Sequence, residues 1–377
     1  MARKLKSDKL LFTATLLLVC SGVVMVYSAS AVMAMEKQHD PHLYLFKQGT
    51  WALIGLCLVP VIMRVDYRLY RQPAVIWAGL VVVVLALAAV LFGTPVNGAS
   101  RWLGLGPFGV QPSELAKIVV IVFIAALLER RMDRIAETPA ALIPIGVVLA
   151  LVVGLILAEP DLGTAFSVLM IAAAMLFAAG ISYRYVVGLL LVTPPAFYLL
   201  VMTSDYRRRR VMAFLDPWAD PLGDGYQMVQ SMIAVGTGGV FGRGLMGGVQ
   251  KLFYLPEPHN DFIYSVIAEE LGLIGATIIL ACFCVITWRG LRTATRAPDR
   301  FGAFLAIGLT TMVAFQAFFN ISVVLGMVPP KGIPLPFVSY GGSSLLINLL
   351  GMGILLNVSQ HASSTPVITT DMTAQDA

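Results

Sequence analysis

The stretch Leu255-Pro256-Glu257-Pro258-His259-Asn260-Asp261-Phe262-Ile263-Tyr264, continued by Ser265-Val266-Ile267-Ala268-Glu269-Glu270-Leu271-Gly272, is where a long polar loop rich in Gly, Arg and Asp runs into an apolar helix. That change of composition marks a helix entering a membrane, with Asp261 at its mouth on the water side. An ionisable group at such a boundary is a site candidate. The plainer reading is that Asn260 or Asp261 caps the helix.

Outward from this stretch the whole chain is apolar. Its 377 residues are 58% hydrophobic and 12% charged, with a mean hydropathy of +0.84. A soluble domain carries about a quarter of its residues charged, so these values exclude one and imply an all-α polytopic membrane protein. The 26 basic against 21 acidic residues are what positive cytoplasmic loops produce, and nucleic acid is not implied. The cysteines at 20, 57, 282 and 284 lie inside apolar runs, which argues for small apolar packers over a disulfide or zinc site. The histidines at 39, 42, 259 and 361 form no metal pattern.

Ten runs have spanning length: 10–26, 43–63, 74–92, 113–128, 141–158, 162–180, 185–202, 262–288, 301–327 and 340–357. Ser28-Ala29-Ser30 resembles a signal cleavage site, but the first run is long for a signal, and a retained helix is the expectation. With the N-terminus inside, the cytoplasmic segments hold fifteen Lys and Arg, and the short outside segments hold four: Lys37, Lys47, Arg101 and Lys331. The bias places both termini in the cytoplasm. Residues 1–361 are then one transmembrane domain, and 362–377 a polar, disordered tail.

The large extracytoplasmic loop between helices 7 and 8, about 203–260, breaks the charge rule with Arg207-Arg208-Arg209-Arg210. An anionic substrate on that side would explain it, as would acidic lipid headgroups. In Gln111-Pro112-Ser113-Glu114-Leu115-Ala116-Lys117 a proline opens a helix, and Glu114 and Lys117 share one face, either as a mutual ion pair or lining a polar cavity. Glu159-Pro160-Asp161-Leu162-Gly163-Thr164 reads as a turn or as a carboxylate pair for a cation or the arginines. Thr237-Gly238-Gly239-Val240-Phe241-Gly242-Arg243-Gly244 lacks the P-loop ending; it suits flexible connection or a phosphate contact. Pro329 to Pro336 cannot be helical, and Ser339-Tyr340-Gly341-Gly342-Ser343 opens the last helix with free amides or close packing. Gln316 and Asn320 are interhelical hydrogen-bond candidates. Glu269 falls on nearly the face of Asp261, about 12 Å deeper, where Lys117 would suit it as a partner, and Glu270 points elsewhere.

These motifs together resemble the SEDS family, also called the FtsW/RodA/SpoVE family. The match runs through Gln111-Pro112-Ser113-Glu114, Pro160-Asp161-Leu162-Gly163, Asp205-Tyr206-Arg207-Arg208-Arg209-Arg210, Phe214-Leu215-Asp216-Pro217, Leu255-Pro256-Glu257, His259-Asn260-Asp261-Phe262 and Ser339-Tyr340-Gly341-Gly342-Ser343. The wording Pro258-His259-Asn260-Asp261 and the serine pair Ser343-Ser344 side with the FtsW branch over the RodA branch.

The resemblance implies a ten-helix peptidoglycan glycosyltransferase that polymerises lipid II outside the cytoplasmic membrane. Its expected partners are a class B penicillin-binding protein and other divisome or elongasome proteins. It implies Asp261 as the catalytic base, ionised readily at a helix start. Arg101, Glu114, Lys117, Asp161, Arg207, Arg208, Arg209, Arg210, His259, Ser339 and Tyr340 are the substrate-binding expectation, with cations stabilising the departing pyrophosphate. A divalent cation, Mg or Mn, bridging the phosphates is a further expectation without defined ligands. Two other classes compete. A lipid II flippase needs charges through the full membrane depth, and a scaffold that only recruits a penicillin-binding protein leaves Asp261 without work.

Overall fold

The computed structural model describes residues 7–93, 101–104, 109–135, 142–182 and 205–362, with isolated positions between 184 and 203. The expected span 185–202 and the tail beyond 362 therefore fall largely or wholly outside the described residues. Those described form helices α1 (Lys9–Gln38), α2 (Leu43–Ile62), α3 (Pro73–Leu91), α4 (Pro112–Ile135), α5 (Ile143–Ala158), α6 (Leu162–Ala178), α7 (Asp205–Leu215), α8 (Tyr226–Gly238), α9 (Ile263–Thr295), α10 (Arg300–Val324) and α11 (Gly342–Ala362). Among the described residues, one isolated bridge, Leu103 with Val110, is the extent of β-pairing.

Six of these helices, α1, α2, α3, α9, α10 and α11, are long and apolar enough to cross a membrane. The protein is thus a multi-pass membrane protein. Its outer helices present apolar side chains outward, as Leu53, Trp77 and Leu85, each at least 60% exposed, illustrate. A surface of that kind is stable against lipid and not against water. The inner helices α4, α10 and α11 bury residues on all their faces over most of their length, with the Glu114–Lys117 ion pair and amides such as Gln316, Asn320 and Asn348 set among apolar side chains, the pattern of a buried helix.

Local chemistry sets the helix ends. Asp8 accepts from the amide of Leu11 at 3.2 Å and starts α1. Pro73 opens α3, Asp161 caps α6 through the amide of Thr164 at 3.1 Å, and Asp299 caps α10 through the amide of Gly302 at 2.7 Å. Each cap satisfies an amide the helix leaves unpaired. Helix α1 continues through Ser28, Ala29 and Ser30 to Gln38 with those three residues buried, well past the expected end at 26.

The connections sort into two ends. One gathers the loops before α2, α4, α6, α9 and α11. The other gathers the start of α1, the ends of α2 and α9, and the end of α11, where Arg289 binds Asp8 at 2.6 Å and the amide of Tyr67 donates to Asn357 at 3.1 Å.

Helix α9 corresponds to the expected eighth span but is broken inside. Gly272 has φ 66° and ψ −167°, values open to glycine. The break strands backbone groups on both sides, and the glycine-rich segment fills them. The amides of Arg243 and Gly244 donate to the carbonyls of Glu269 and Glu270 at 3.0 and 2.9 Å, and the amides of Leu273 and Ile274 donate to the carbonyls of Gly239 and Val240 at 2.9 and 3.3 Å. The segment is a backbone clamp and not a flexible connection.

The expectation that Glu269 pairs with Lys117 is also overturned. Glu269 accepts from the amides of Val249 and Gln250 and faces Arg243 at 3.6 Å. Glu270 does point elsewhere: it binds Lys251 at 2.6 Å, the Ser28 hydroxyl of α1 and the amide of Met246. Both carboxylates are fully buried and both are saturated, which is what keeps buried charge tolerable.

Candidate functional site

Residues 255–262 enter α9 as a series of turns, closed by the amide of Asn260 on the carbonyl of Glu257 at 3.1 Å and by the Asn260 side chain on Glu257 at 2.6 Å. Three successive carbonyls of this segment are then pinned from α10 and the loop before α11. The carbonyl of His259 accepts from the amide of Tyr340 at 2.9 Å. That of Asn260 accepts from the Ser339 hydroxyl at 2.7 Å, and that of Asp261 accepts from the Asn320 side chain at 2.7 Å. The same Asn320 amide donates to the carbonyl of Ile333 at 2.9 Å, so one side chain ties the segment before α9 to the segment before α11. Ser339 is itself fixed, accepting from the amide of Leu335 at 2.9 Å, with its carbonyl taking the amide of Gln48 at 3.2 Å.

The carboxyl of Asp261 is thereby aimed at Gly332, where a Cβ would lie 3.1 Å from its Oδ2. The absent side chain at 332 leaves this face of the carboxyl open. The N-cap of α9 is Phe262, and no side chain caps the helix, so the capping role open to Asp261 is not the one it has. Its pKa moves in the opposite direction from that expected of a helix start. Burial raises it to about 6, Glu257 and Asp161 add to the rise, and Arg210 and Arg101 oppose it. Desolvation wins because the carboxyl takes none of the free first-turn amides that would stabilise the anion.

Around Asp261 the chain assembles a charged rim. Arg101, two residues before the Leu103–Val110 bridge, donates to the carbonyls of Pro160 and Glu159. Arg210, on α7, donates to the carbonyl of Pro330 at 3.4 Å. Lys331 lies 5.4 Å over the Phe166 ring. Asp161 is saturated by Thr164 and by Gln111 at 3.0 Å, so it acts as a cap joining α4 to α6. Beside it Glu159 is fully buried, both its oxygens lack a partner among the described residues, and burial, with Asp161 second, raises it to about 7.

His259 packs with Tyr44 and Tyr340, ring centroids 4.8 and 5.5 Å away. Burial lowers its pKa to about 4, so it stands as a neutral imidazole and packs the loop against α2.

The remaining site candidates divide. Ser339 and Tyr340 join the Asp261 segment through the backbone bonds above. Glu114 and Lys117 pair with each other at 2.9 Å inside the bundle, each side chain 4% exposed or less; of their two readings the ion pair is the one observed. The arginine run is split by its helix: Arg210 faces the Asp261 segment, whereas Arg209 reaches Asp224 at 3.7 Å and lines, with Arg208, a separate recess against Asp216 and Asp220. The side chain of Arg207 lies outside the described residues.

Gln48, Tyr44, Glu257 and Gly332 belong to the site's surroundings without having stood out as site candidates, and Glu159 stood out only as one half of a carboxylate pair with Asp161. Asn320 stood out only as an interhelical partner; its partners are the two loop carbonyls. Among the described residues no group of three or more His, Cys, Asp or Glu could hold a metal ion, and the oxygens of Asp161 are already taken.

Residues 8–364 match the model of the FtsW/RodA/SpoVE family, described as cell cycle proteins. Over 360 residues the chain is 46% identical to a probable peptidoglycan glycosyltransferase FtsW of Geobacter metallireducens, covering 95% of this chain and 96% of the relative. It is 43% identical over 366 residues to stage V sporulation protein E of Bacillus subtilis, covering 96% and 99%. Among solved structures, the rod shape determining protein RodA of Thermus thermophilus superimposes with a TM-score of 0.70 at 30% identity, covering 96% of this chain and 99% of that one. A chain from a peptidoglycan synthase complex, described as coordinating polymerization and crosslinking, reaches a TM-score of 0.78 at 32% identity over 96% and 100%.

Proposed function

The chain belongs to the FtsW/RodA/SpoVE family, and from that premise we propose that it is a peptidoglycan glycosyltransferase that polymerises lipid II at the outer face of the cytoplasmic membrane, in cell division. The observation that carries this reading is the Asp261 carboxyl: pinned through three consecutive carbonyls, raised to about 6 by burial and within the fields of Arg210 and Arg101. A carboxylate near that value is a stronger proton acceptor than an ordinary aspartate and still largely ionised at neutral pH.

In the proposed step the 4-hydroxyl of an acceptor glucosamine gives its proton to Asp261 while its oxygen attacks the anomeric carbon of the donor. The bond from that carbon to the pyrophosphate oxygen breaks, the configuration inverts, and undecaprenyl pyrophosphate departs as an anion. Arg210 and Arg101 are the cations whose fields reach Asp261, and we assign them to the leaving pyrophosphate. Pyrophosphate leaves well without the carboxylic acid that a glycosidase supplies to its leaving group. No step is routed through a divalent ion.

The ten-helix count, the cytoplasmic termini and the outward-facing Asp261 end belong to this proposal and rest on the charge bias. A class B penicillin-binding protein is the proposed partner, supported by the likeness to a chain from a synthase complex. The test is polymerisation of labelled lipid II by the purified protein with and without that partner. Wild type makes polymer and Asp261→Asn, folded and still bound to the partner, makes none. Polymer from the variant rejects Asp261 as the base, and none from wild type with partner restores the transport and scaffold readings.

A further inference from the structure

At the end of the bundle opposite Asp261, the start of α1, the end of α9 and the end of α11 enclose a recess of about 340 Å³ lined by Asp8, Lys9, Arg289, Arg292, Arg296 and Ser359. Arg289 and Arg292 share one face of the last turns of α9, and Arg296 at its C-cap lines the same recess. Asp8 is the single acid. One of its oxygens binds Arg289 through both Nε and Nη2 at 2.6 Å and the other accepts from the amide of Leu11, so it neutralises Arg289 alone. Lys9, Arg292 and Arg296 remain as excess positive charge around one cavity. A topological charge bias requires only that basic residues be numerous at an end; it does not require them to converge.

The surface beside the recess carries exposed apolar side chains. Trp288, 56% exposed, carries the guanidinium carbons of Arg289 and Arg292 at 5.4 and 6.0 Å from its ring centroid, and Leu10 beside Lys9 is 54% exposed. A tryptophan with its ring in lipid and cations over it marks the headgroup level. A ligand that fits carries a phosphate for the recess and acyl chains for Trp288 and Leu10.

We propose that this recess binds the phosphate of an anionic phospholipid headgroup. Phosphate accepts from the forked guanidinium donors, and basic pockets between transmembrane helices recognise such headgroups. The site is independent of the chemistry assigned to Asp261.

The test uses the full-length protein, titrated in detergent with phosphatidylglycerol or phosphatidylcholine and read by native mass spectrometry. Wild type binds phosphatidylglycerol in preference. Arg292→Gln with Arg296→Gln weakens that binding roughly tenfold, while Arg64→Gln with Arg130→Gln, the same charge change on exposed residues at the same end, leaves it unaltered. Arg292→Lys with Arg296→Lys, which keeps the charge, retains most of the binding, and melting curves confirm that each variant is folded. Equal binding by the two glutamine pairs, equal binding of both lipids, or a lysine pair no better than its glutamine counterpart overturns the proposal. Displacement of the lipid by low-millimolar inorganic phosphate overturns the lipid assignment in favour of a soluble phosphate.

Discussion

At the scale of the residue, Asp261 shows two effects opposed. A carboxylate at the mouth of a helix N-terminus is favoured by the dipole, and one removed from water is disfavoured; burial prevails and the value rises to about 6. Polymerisation needs the carboxylate, so its rate should climb as pH rises through about 6. Glu257 raises the value and Arg210 lowers it. Glu257→Gln should therefore move the acidic limb of the kcat/KM profile to lower pH, and Arg210→Gln to higher pH. Movement of either limb in the wrong direction would reject Asp261 as the titrating base. The same shift has a stability consequence. Because the folded protein holds this proton more tightly than the unfolded chain does, ionisation costs nothing below the unfolded value and its full penalty above the folded one. Asp261→Asn should accordingly melt no lower than wild type at neutral pH.

Asn320 makes a separate prediction. Its amide serves two loop carbonyls, and Asn320→Ala strands both at a cost of about 1–3 kcal/mol for a buried group left unpaired. The expected signature is a fall in kcat larger than any change in KM, since Asp261 is displaced while the substrate's remote contacts persist. A rise in KM alone would show that Asn320 serves binding and not alignment.

At the scale of the element, the break in α9 is the feature on which the site's position depends. A continuous helix from 263 to 295 would leave Gly239, Val240, Arg243 and Gly244 without the backbone partners they find at 269, 270, 273 and 274; the break at Gly272 lets that segment dock and brings Glu269 and Glu270 into it. An added Cβ at Gly272 meets the backbone of Gly242 and Val240, besides the strain of φ 66°. Gly272→Ala should lower stability by roughly 1–3 kcal/mol, read as a drop in melting temperature in detergent, and should reduce polymerisation as well because the clamp sits on the helix that follows Asp261. A variant that melts like wild type would show that the clamp bears no strain.

At the scale of the whole molecule, the alternation of helix ends puts Asp261, Arg101 and Lys331 at one end and Arg64, Arg289 and Arg292 at the other. The proposed orientation is checked with a membrane-impermeant maleimide on intact spheroplasts. Cysteine introduced at Glu257 should label before lysis, and cysteine introduced at Arg64 only after it. The reverse order would invert the topology and place the proposed chemistry on the side where the charge bias puts the cytoplasm. In either orientation α4, α10 and α11 form the buried centre and the loops before α9 and α11 close over one mouth of it.

The sequence by itself determined the class of molecule, because unbroken apolar runs of spanning length admit only helices in lipid. It located the starts of the described spans within a few residues, while α1, α4, α9 and α11 run on past their expected ends at 26, 128, 288 and 357, and its motif order was enough to select the family. It also singled out Asp261, since a carboxylate at the mouth of an apolar helix is visible without coordinates. Only the tertiary structure decided the partners of the polar groups: that Lys117 goes to Glu114 and Glu269 to Arg243, that Arg210 alone of the described arginines in its run faces Asp261, that α9 breaks at Gly272, and that burial overrides the helix dipole at Asp261. The reason is physical. Hydropathy and periodicity report which face of a helix avoids water, a property summed over many residues, whereas a hydrogen bond or a pKa depends on ångström-scale contacts between segments as far apart in the chain as Asn260 and Ser339.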